Sequence, residues 1–348
     1  MTDPGRDGAL VPDPDSAASG SELLHRMTRT VWRYTALSGL ISLGVPEQLR
    51  DGPLTVAELA SRCGAHAPTL TRVLRTAAQT GLLRTAGPGR YELTAAGTAL
   101  CGGVEVDRII WNTDPVIWSA LADVQETLRT GQIPFVQQYG GSYSFLAGRP
   151  GLAAVFDKFM TSRSAALAGW LAGLDVFPPA GTVADLGGGR GTFTAAILRA
   201  RPGLRGILLD LERVAASAKD YLSASGVADR CEFVTGDFFT AVPAGADVYL
   251  LASVIHNWGD EDAVRILRTV RAAIPEQGRL LIVETPVPED DRPHVMKDLD
   301  IRILTILQGG RERLLSEYSA LLEDSGFRIN QTVELAAQFL IVASPVTD

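Results

Sequence analysis

Apolar positions along this chain follow two rhythms, and the change between them divides it. From Leu23 to Leu43 the spacing is helical, with Val31, Tyr34, Leu37 and Leu40 or Ile41 on one face. Thr55 followed three residues later by Glu58 has the pattern of a capping box before a helix. Pro68 opens a second helix with Leu70, Val73 and Leu74 on one face and Gly81 as its stop. LLRTA, a GPG turn and RYELT then read as a short ribbon. Two helices followed by a hairpin predict a winged-helix arrangement. Residues 111–175 read as helices rich in aromatic residues, among them Trp118 and Phe156; Phe156 and Met160, four apart, share a helix face. After Pro178 short apolar runs (TVADL, GILLDL, CEFVTG, DVYLLASV, RLLIVET, FLIVAS) alternate with helical stretches such as Thr192–Ala200 and Glu261–Ile274. That alternation predicts an α/β fold with a doubly wound parallel sheet.

The expected organisation is a mobile polar tail over residues 1–20, a winged-helix segment over 21–110, a helical linker and lid over 111–175, and the α/β domain over 176–348. Length supports about two domains. The formal charge is −8, which disfavours binding to nucleic acid through phosphate contacts. The winged segment itself, from Asp51 to Ile110, carries six Arg and five Asp/Glu, and only Arg72 and Arg75 are available on its second helix. Packing or dimerisation suits it better than DNA reading. Three cysteines without paired spacing argue against a disulfide framework and a zinc site. His294, in the acidic loop PEDDRPH, has no convincing ligand companions, so no metal is expected. The first residues lack the apolar stretch of a signal peptide, and no run approaches the roughly 18 residues of a membrane span. The expectation is a cytoplasmic protein without a membrane partner.

Ligands of doubly wound sheets bind outside the carboxyl ends of the strands. The first strand ends in Asp185-Leu186-Gly187-Gly188-Gly189-Arg190-Gly191-Thr192. This is neither the dinucleotide fingerprint, since the third glycine is replaced by Thr192, nor a P-loop, since no Lys-Ser/Thr follows. The second strand ends at Asp210, placed to accept the hydroxyls of a ribose. The third ends in Gly236-Asp237-Phe238-Phe239, where a carboxylate and a ring suit adenine. Each acid alone reads as a solvated loop charge; the three together predict an adenosine derivative. Without a phosphate-binding lysine, they point to S-adenosylmethionine.

The strings DLGGGRGTF, LLDLERV, GDFF and LASVIHNWGDEDAVRIL, then VETPVP and GGRER, resemble in that order the small-molecule O-methyltransferase family. That family includes bacterial antibiotic-tailoring enzymes and plant phenolic methyltransferases. The likeness runs from about Thr30 to Ser344 and implies a Rossmann-like methyltransferase sheet preceded by a winged-helix-like homodimerisation domain. It implies S-adenosylmethionine as cofactor and S-adenosylhomocysteine as product. The methionine end would lie at Gly187–Gly189 beside Asp185, the ribose on Asp210 next to Leu211, and the adenine against Asp237 and Phe238, with Ser253 also in contact. His256 matches the family's catalytic histidine, and Glu284 and Glu312 its two supporting acids. Trp118, Phe156, Met160, Asn257 and Arg302 are the acceptor-site candidates. Two positions depart from the family's pattern: Ala252 replaces a cofactor-contacting Lys or Ser, and Asn257 replaces an Asp.

Transfer of a methyl group to a phenol or enol of a small natural product is the leading expectation. Non-methylating use of the same cofactor, for hydroxylation, decarboxylation or ring closure, and a nucleoside-sensing winged-helix regulator are the alternatives. For the Phe156–Met160 stripe, ordinary core packing competes with a pocket role. For His256, capping of the following helix competes with catalysis. Which glutamate orients the histidine is open at this level.

Overall fold

A computed structural model describes residues 17–335 and 338–347. Residues 1–16, most of the expected tail, lie outside the described residues. Helix α1 (Ala17–Ser42) begins ahead of the boundary expected after residue 20. The chain divides into two compact units.

The first unit runs to Trp118 and takes in Ala154–Phe159. It holds α1, α2 (Val45–Gln48), β1 (Leu54–Thr55), α3 (Val56–Cys63), α4 (Ala67–Ala78), β2 (Leu83–Thr85), β3 (Arg90–Leu93), α5 (Val104–Asn112) and most of α6 (Pro115–Ser119). The capping box forms: Thr55 Oγ1 accepts from the Glu58 amide at 3.1 Å, and Glu58 Oε2 accepts from the Thr55 amide at 2.7 Å. The hairpin closes an antiparallel sheet in the order β1-β3-β2. Leu40, Val45, Leu59, Leu70, Leu74, Leu83 and Tyr91 form the core of this winged helix. A row on α1 stays outside that core, with Leu24, Met27, Val31 and Trp32 each at least half exposed.

The second unit comprises Ser119–Ala153 and the chain from Met160 on. Its helices are α7 (Val124–Thr130), α8 (Pro134–Tyr139), α9 (Ser142–Ala147), the long α10 (Pro150–Gly173, apart from its stretch in the first unit), α11 (Thr192–Ala200), α12 (Ala215–Ala224), α13 (Asp260–Ala273), α14 (Val295–Ile306) and α15 (Leu315–Asp324). Its strands are β4 (Gly181–Leu186), β5 (Leu204–Asp210), β6 (Cys231–Thr235), β7 (Val248–Ala252), β8 (Arg279–Glu284), β9 (Phe327–Leu335) and β10 (Gln338–Pro345). The sheet order is β6-β5-β4-β7-β8-β10-β9. Alternate strand residues feed two cores on opposite faces: Val183, Leu208, Val248, Leu250, Leu281 and Val283 on one, Ala184, Leu209, Tyr249, Leu251, Leu280 and Ile282 on the other. Burial on both faces is why these strands read as continuous apolar runs.

The sheet is mixed rather than wholly parallel. β10 pairs antiparallel with β8 and with β9. β9 (FRINQTVEL) was not among the expected strands, because an edge strand with a largely polar, exposed face lacks an apolar run. The order reverses between β4 and β7: the chain leaves β4 for β5 and β6 on one side, then crosses to β7 on the other. This switch point opens a crevice at the carboxyl ends of β4 and β7. No described helix is long and apolar enough to cross a membrane.

Candidate active site

The β4 loop is built around a buried acid. Asp185 is fully buried, and its Oδ2 accepts from Thr194 Oγ1 at 2.6 Å. Burial pushes this carboxyl up to about 6, although the Thr194 hydrogen bond opposes the rise. Its Oδ1 has no hydrogen-bond partner among the described residues. A side chain at Gly188 would put its Cβ 2.5 Å from the Asp185 carboxylate, so only glycine lets the loop fold over the acid. Gly187 lies under Phe238: a Cβ there would meet the ring at 3.2 Å.

Asp210, at the end of β5, ties this loop to the next strand. Its Oδ2 accepts from the Gly189 amide and its Oδ1 from the Leu211 amide, both at 2.7 Å. Leu211 is nearly half exposed beside it. Asp237 Oδ1 accepts from the Phe239 amide at 3.0 Å, which sets the turn that presents Phe238. Phe238 and Phe239 both meet the Trp258 ring edge to face, at 6.0 and 4.6 Å, and Tyr143 of α9 stacks on Trp258 at 6.3 Å. The eight residues expected to serve one ligand are thus gathered at the ends of β4, β5, β6 and β7.

After β7 the chain turns sharply. Ser253, with φ of 55°, is the one non-glycine residue with positive φ among those described. Its amide donates to Val283 O at 2.9 Å, its carbonyl accepts from Asn257 Nδ2 at 3.1 Å, and its hydroxyl accepts from Arg163 Nη2 at 3.3 Å. A strained backbone persists where such partners over-determine it. The turn leads to His256, buried within a short 3₁₀ turn. Asn257 uses its amide inside this turn, where a carboxylate could not donate to the Ser253 carbonyl.

Two buried carboxylates converge on the His256 ring. Nδ1 is 3.1 Å from Glu312 Oε1 and 3.5 Å from Glu284 Oε2. The geometry separates the two acids. Glu284, at the end of β8, turns its other oxygen to the amides of Val254 and His256 at 3.1 and 3.3 Å, so it anchors the turn. Glu312 is the nearer to Nδ1, and its own amide is held by Asp300 Oδ1 at 2.7 Å. Burial alone would lower the imidazole pKa, but the charge of Glu284 and the hydrogen bond and charge of Glu312 outweigh it, and the net shift is upward. The Arg163 charge opposes that rise. With Nδ1–H directed at a carboxylate, Nε2 is the basic nitrogen.

Other expected residues are placed differently. Trp118 stacks on Tyr34 at 5.9 Å and Phe156 packs on Trp111 at 4.8 Å, all four within the first unit. Each ring thus has a packing partner there, although Trp118 itself is exposed. Met160 on α10 and Arg302 on α14 are half-buried residues of the second unit.

Sequence reasoning did not single out Arg163, and it met Tyr143 only as one of the aromatic residues of the 111–175 stretch. Burial lowers the Arg163 pKa against the pull of Glu312 and Glu284. Burial, with the charge of Asp210 next, pushes the Tyr143 hydroxyl up to about 12. Both lie on helices whose spacing carries no chemical signature. Among the described residues, no group of three or more His, Cys, Asp or Glu could hold a metal ion.

Two family models match the chain: the O-methyltransferase domain over residues 118–328 and the O-methyltransferase dimerisation domain over residues 26–102. The chain is similar to the mitomycin biosynthesis 6-O-methyltransferase of Streptomyces lavendulae, 37% identical over 332 residues that cover 94% of each chain. Among solved structures it resembles the mitomycin 7-O-methyltransferase, with a TM-score of 0.89 and 36% identity over 94% of this chain and 98% of that one. It also resembles an O-methyltransferase from neocarzinostatin biosynthesis in complex with S-adenosylmethionine and 2-hydroxy-5-methyl naphthoic acid. There the TM-score is 0.81 and the identity 30%, over 90% of this chain and 96% of that one.

The carboxylate pair makes a direct prediction for the imidazole. Glu312→Gln should lower the His256 pKa, because the ring loses the neighbouring charge that helps to raise it. Side-chain ¹⁵N spectra across pH would measure it, with His256→Gln assigning the signal among the four histidines. An unchanged pKa would mean that Glu312 bears no charge-stabilising relation to the ring.

Proposed function

We propose a function from one premise: the chain belongs to the O-methyltransferase family. It transfers the methyl group of S-adenosylmethionine to a hydroxyl of a small aromatic molecule of the kind made in antibiotic biosynthesis, and leaves S-adenosylhomocysteine. The observation that carries the mechanism is the convergence of Glu312 and Glu284 on His256, beside the glycine loop at the switch point.

The residues present fit the cofactor. The buried Asp185 carboxylate, with one oxygen lacking a protein donor, suits the neighbourhood of an ammonium group. Asp210 stands where ribose hydroxyls would be held, and Gly187 leaves room under Phe238 for close approach, with Asp237, Leu211 and Ser253 around it. Arg163 and Tyr143 are our candidates for the carboxylate of the amino-acid end. When bound, S-adenosylmethionine supplies a methyl group on a sulfonium, a donor that needs no further activation.

The chain's own task is alignment and removal of a proton. An unperturbed imidazole titrates near 6.5 and a phenol near 10, so His256 Nε2 takes the acceptor's proton as the new C–O bond forms. Glu312 keeps the proton on Nδ1 in place and stabilises the imidazolium, as the acid does in other His–carboxylate pairs. Glu284 holds the turn and adds its charge. For the acceptor we retain Met160 and Arg302. The packing of Trp118 and Phe156 supports a structural role for those rings, and the hydrogen bond of Asn257 supports a turn-holding one.

We assign the lid and acceptor-positioning role to residues 111–175, cofactor binding to 176–348 and dimerisation to 21–110. The exposed row Leu24, Met27, Val31 and Trp32 supports the last, since contiguous apolar surface of this kind marks interaction sites. A cytoplasmic location goes with this reading, and the three unbridged cysteines support it.

Three measurements test the proposal. His256→Ala should lower kcat by about 10²–10⁴-fold, the usual contribution of a general base. Its cofactor affinity should stay nearly unchanged, and the deficit should shrink at high pH as the phenol ionises. A variant within about threefold of the parent at pH 7 would leave proximity as the whole mechanism. Asp210→Ala should weaken cofactor binding roughly 10- to 100-fold, the loss of one charge-assisted hydrogen bond; calorimetry giving an unchanged Kd would remove Asp210 from the site. Trp32→Glu should sediment as a monomer where the parent sediments as a dimer, and a monomeric parent would refute the dimerisation role of α1.

A further inference from the structure

The His256–Glu312 pair is only as good as the contact between two separate pieces of chain. His256 rides on the turn from Ser253 to Gly259. Glu312 rides on the Gly309–Arg313 segment that follows α14. A glycine at each crossing lets the two backbones touch. A Cβ on Gly310 would lie 2.9 Å from the Asn257 carbonyl oxygen, and one on Gly309 would lie 3.1 Å from Gly259 Cα. The Arg311 amide then donates to the His256 carbonyl at 2.9 Å.

Arg313 spans the junction from the other side. It is completely buried. Its Nη1 donates to Ile255 O at 3.0 Å and its Nη2 to Trp258 O at 2.7 Å, so one guanidinium grips the turn before and after His256. Its Nε and Nη2 also donate to Asp260 Oδ1, at 3.1 and 2.7 Å. Asp260 opens α13 and also receives Arg311 Nη2 at 3.0 Å. Lysine carries one point charge and could not satisfy two carbonyls and a carboxylate in this fork geometry.

We propose that Arg313, anchored by Asp260, is a positioning residue that clamps the His256 turn onto the segment bearing Glu312. Its effect reaches the reaction only through the His256–Glu312 pair, so the proposal rests on the general-base reading of His256. Arg313 is assigned no contact with the acceptor or the cofactor. The charged groups that bear on the His256 ring are Glu284 from β8, Glu312 from the clamped segment and Arg163 from α10. Slackening the clamp moves Glu312 away while Glu284 and Arg163 remain.

The test uses the full-length enzyme carrying Arg313→Lys, alone and combined with His256→Ala. Arg313→Lys should lower kcat at least tenfold, leave the Kd for S-adenosylhomocysteine within about twofold, and move the acidic limb of the kcat–pH profile to lower pH. In the His256→Ala background it should cost less than about twofold, because residues that act as a unit are not additive. Equal losses in both backgrounds, or an unmoved acidic limb, would overturn the proposal and make Arg313 a merely structural residue. If Arg313→Lys does not fold, Asp260→Asn, at a half-exposed side chain, takes its place under the same criteria with a smaller, about threefold, expected loss. A His256→Ala enzyme close to the parent would instead refute the base reading, and this proposal with it.

Discussion

Two carboxyl groups buried within reach of one imidazole set the terms for the rest of this structure. Glu284 and Glu312 are almost wholly removed from water, and an uncompensated buried charge costs several kcal/mol. Each must therefore find donors. Glu284 finds the amides of Val254 and His256, which requires the chain after β7 to double back towards the end of β8. Glu312 finds the ring itself, which requires the segment after α14 to lie along that same turn. The left-handed Ser253, the glycines at 259, 309 and 310 and the fully buried Arg313 all serve these two requirements.

The sheet makes the requirement affordable to meet. β7 and β8 are adjacent and parallel, with Ala252 opposite Val283, so their carboxyl ends open together on the edge where the strand order reverses. Cores on both faces hold these strands rigidly, and the side chains at their ends inherit that rigidity. The loops proposed to cradle the cofactor follow β4, β5 and β6, one to three strands further on. Asp210 links the Gly187–Gly189 loop to β5, while Trp258, two residues after His256, receives the Phe238 ring edge to face. One short turn therefore belongs to both halves of the site.

Sequence reasoning reached what burial and local chemistry write into neighbouring residues. The parallel strands were readable because both faces are buried, and the capping box because its two partners lie three residues apart. The acids at the strand ends were readable because each follows a recognisable run. β9 was not, since its largely exposed edge position leaves no apolar run. Nor was the antiparallel arrival of β10, because an apolar strand looks alike in either direction. Arg163 and Tyr143 come from helices some ninety and more residues before His256, and nothing in helical spacing marks a side chain that ends in a distant crevice. The aromatic stripe is ambiguous for a related reason. Trp118 and Phe156 have the composition of a ligand wall, but each has a ring partner within the first unit. Telling Glu284 from Glu312 also needed coordinates, because both match the same family pattern and only their distances to Nδ1 and the backbone bonds of Glu284 separate them.

On the proposed general-base reading, His256 faces two opposed demands. A higher pKa narrows the gap to a phenol and favours proton uptake during transfer; it also leaves less of the imidazole neutral at pH 7. Two carboxylates alone would push far towards the first. Burial and the Arg163 charge pull towards the second. Arg163 is itself kept in place by the charges it moderates, since Glu312 and Glu284 favour its protonated form against desolvation. It also donates to Ser253, the strained residue on which the turn pivots. The same guanidinium thus restrains the basicity of His256 and supports the backbone that presents it. Removing that cation would leave two acids opposite one histidine, and His256 would then hold its proton more tightly, against the neutral resting form that the proposed base role requires.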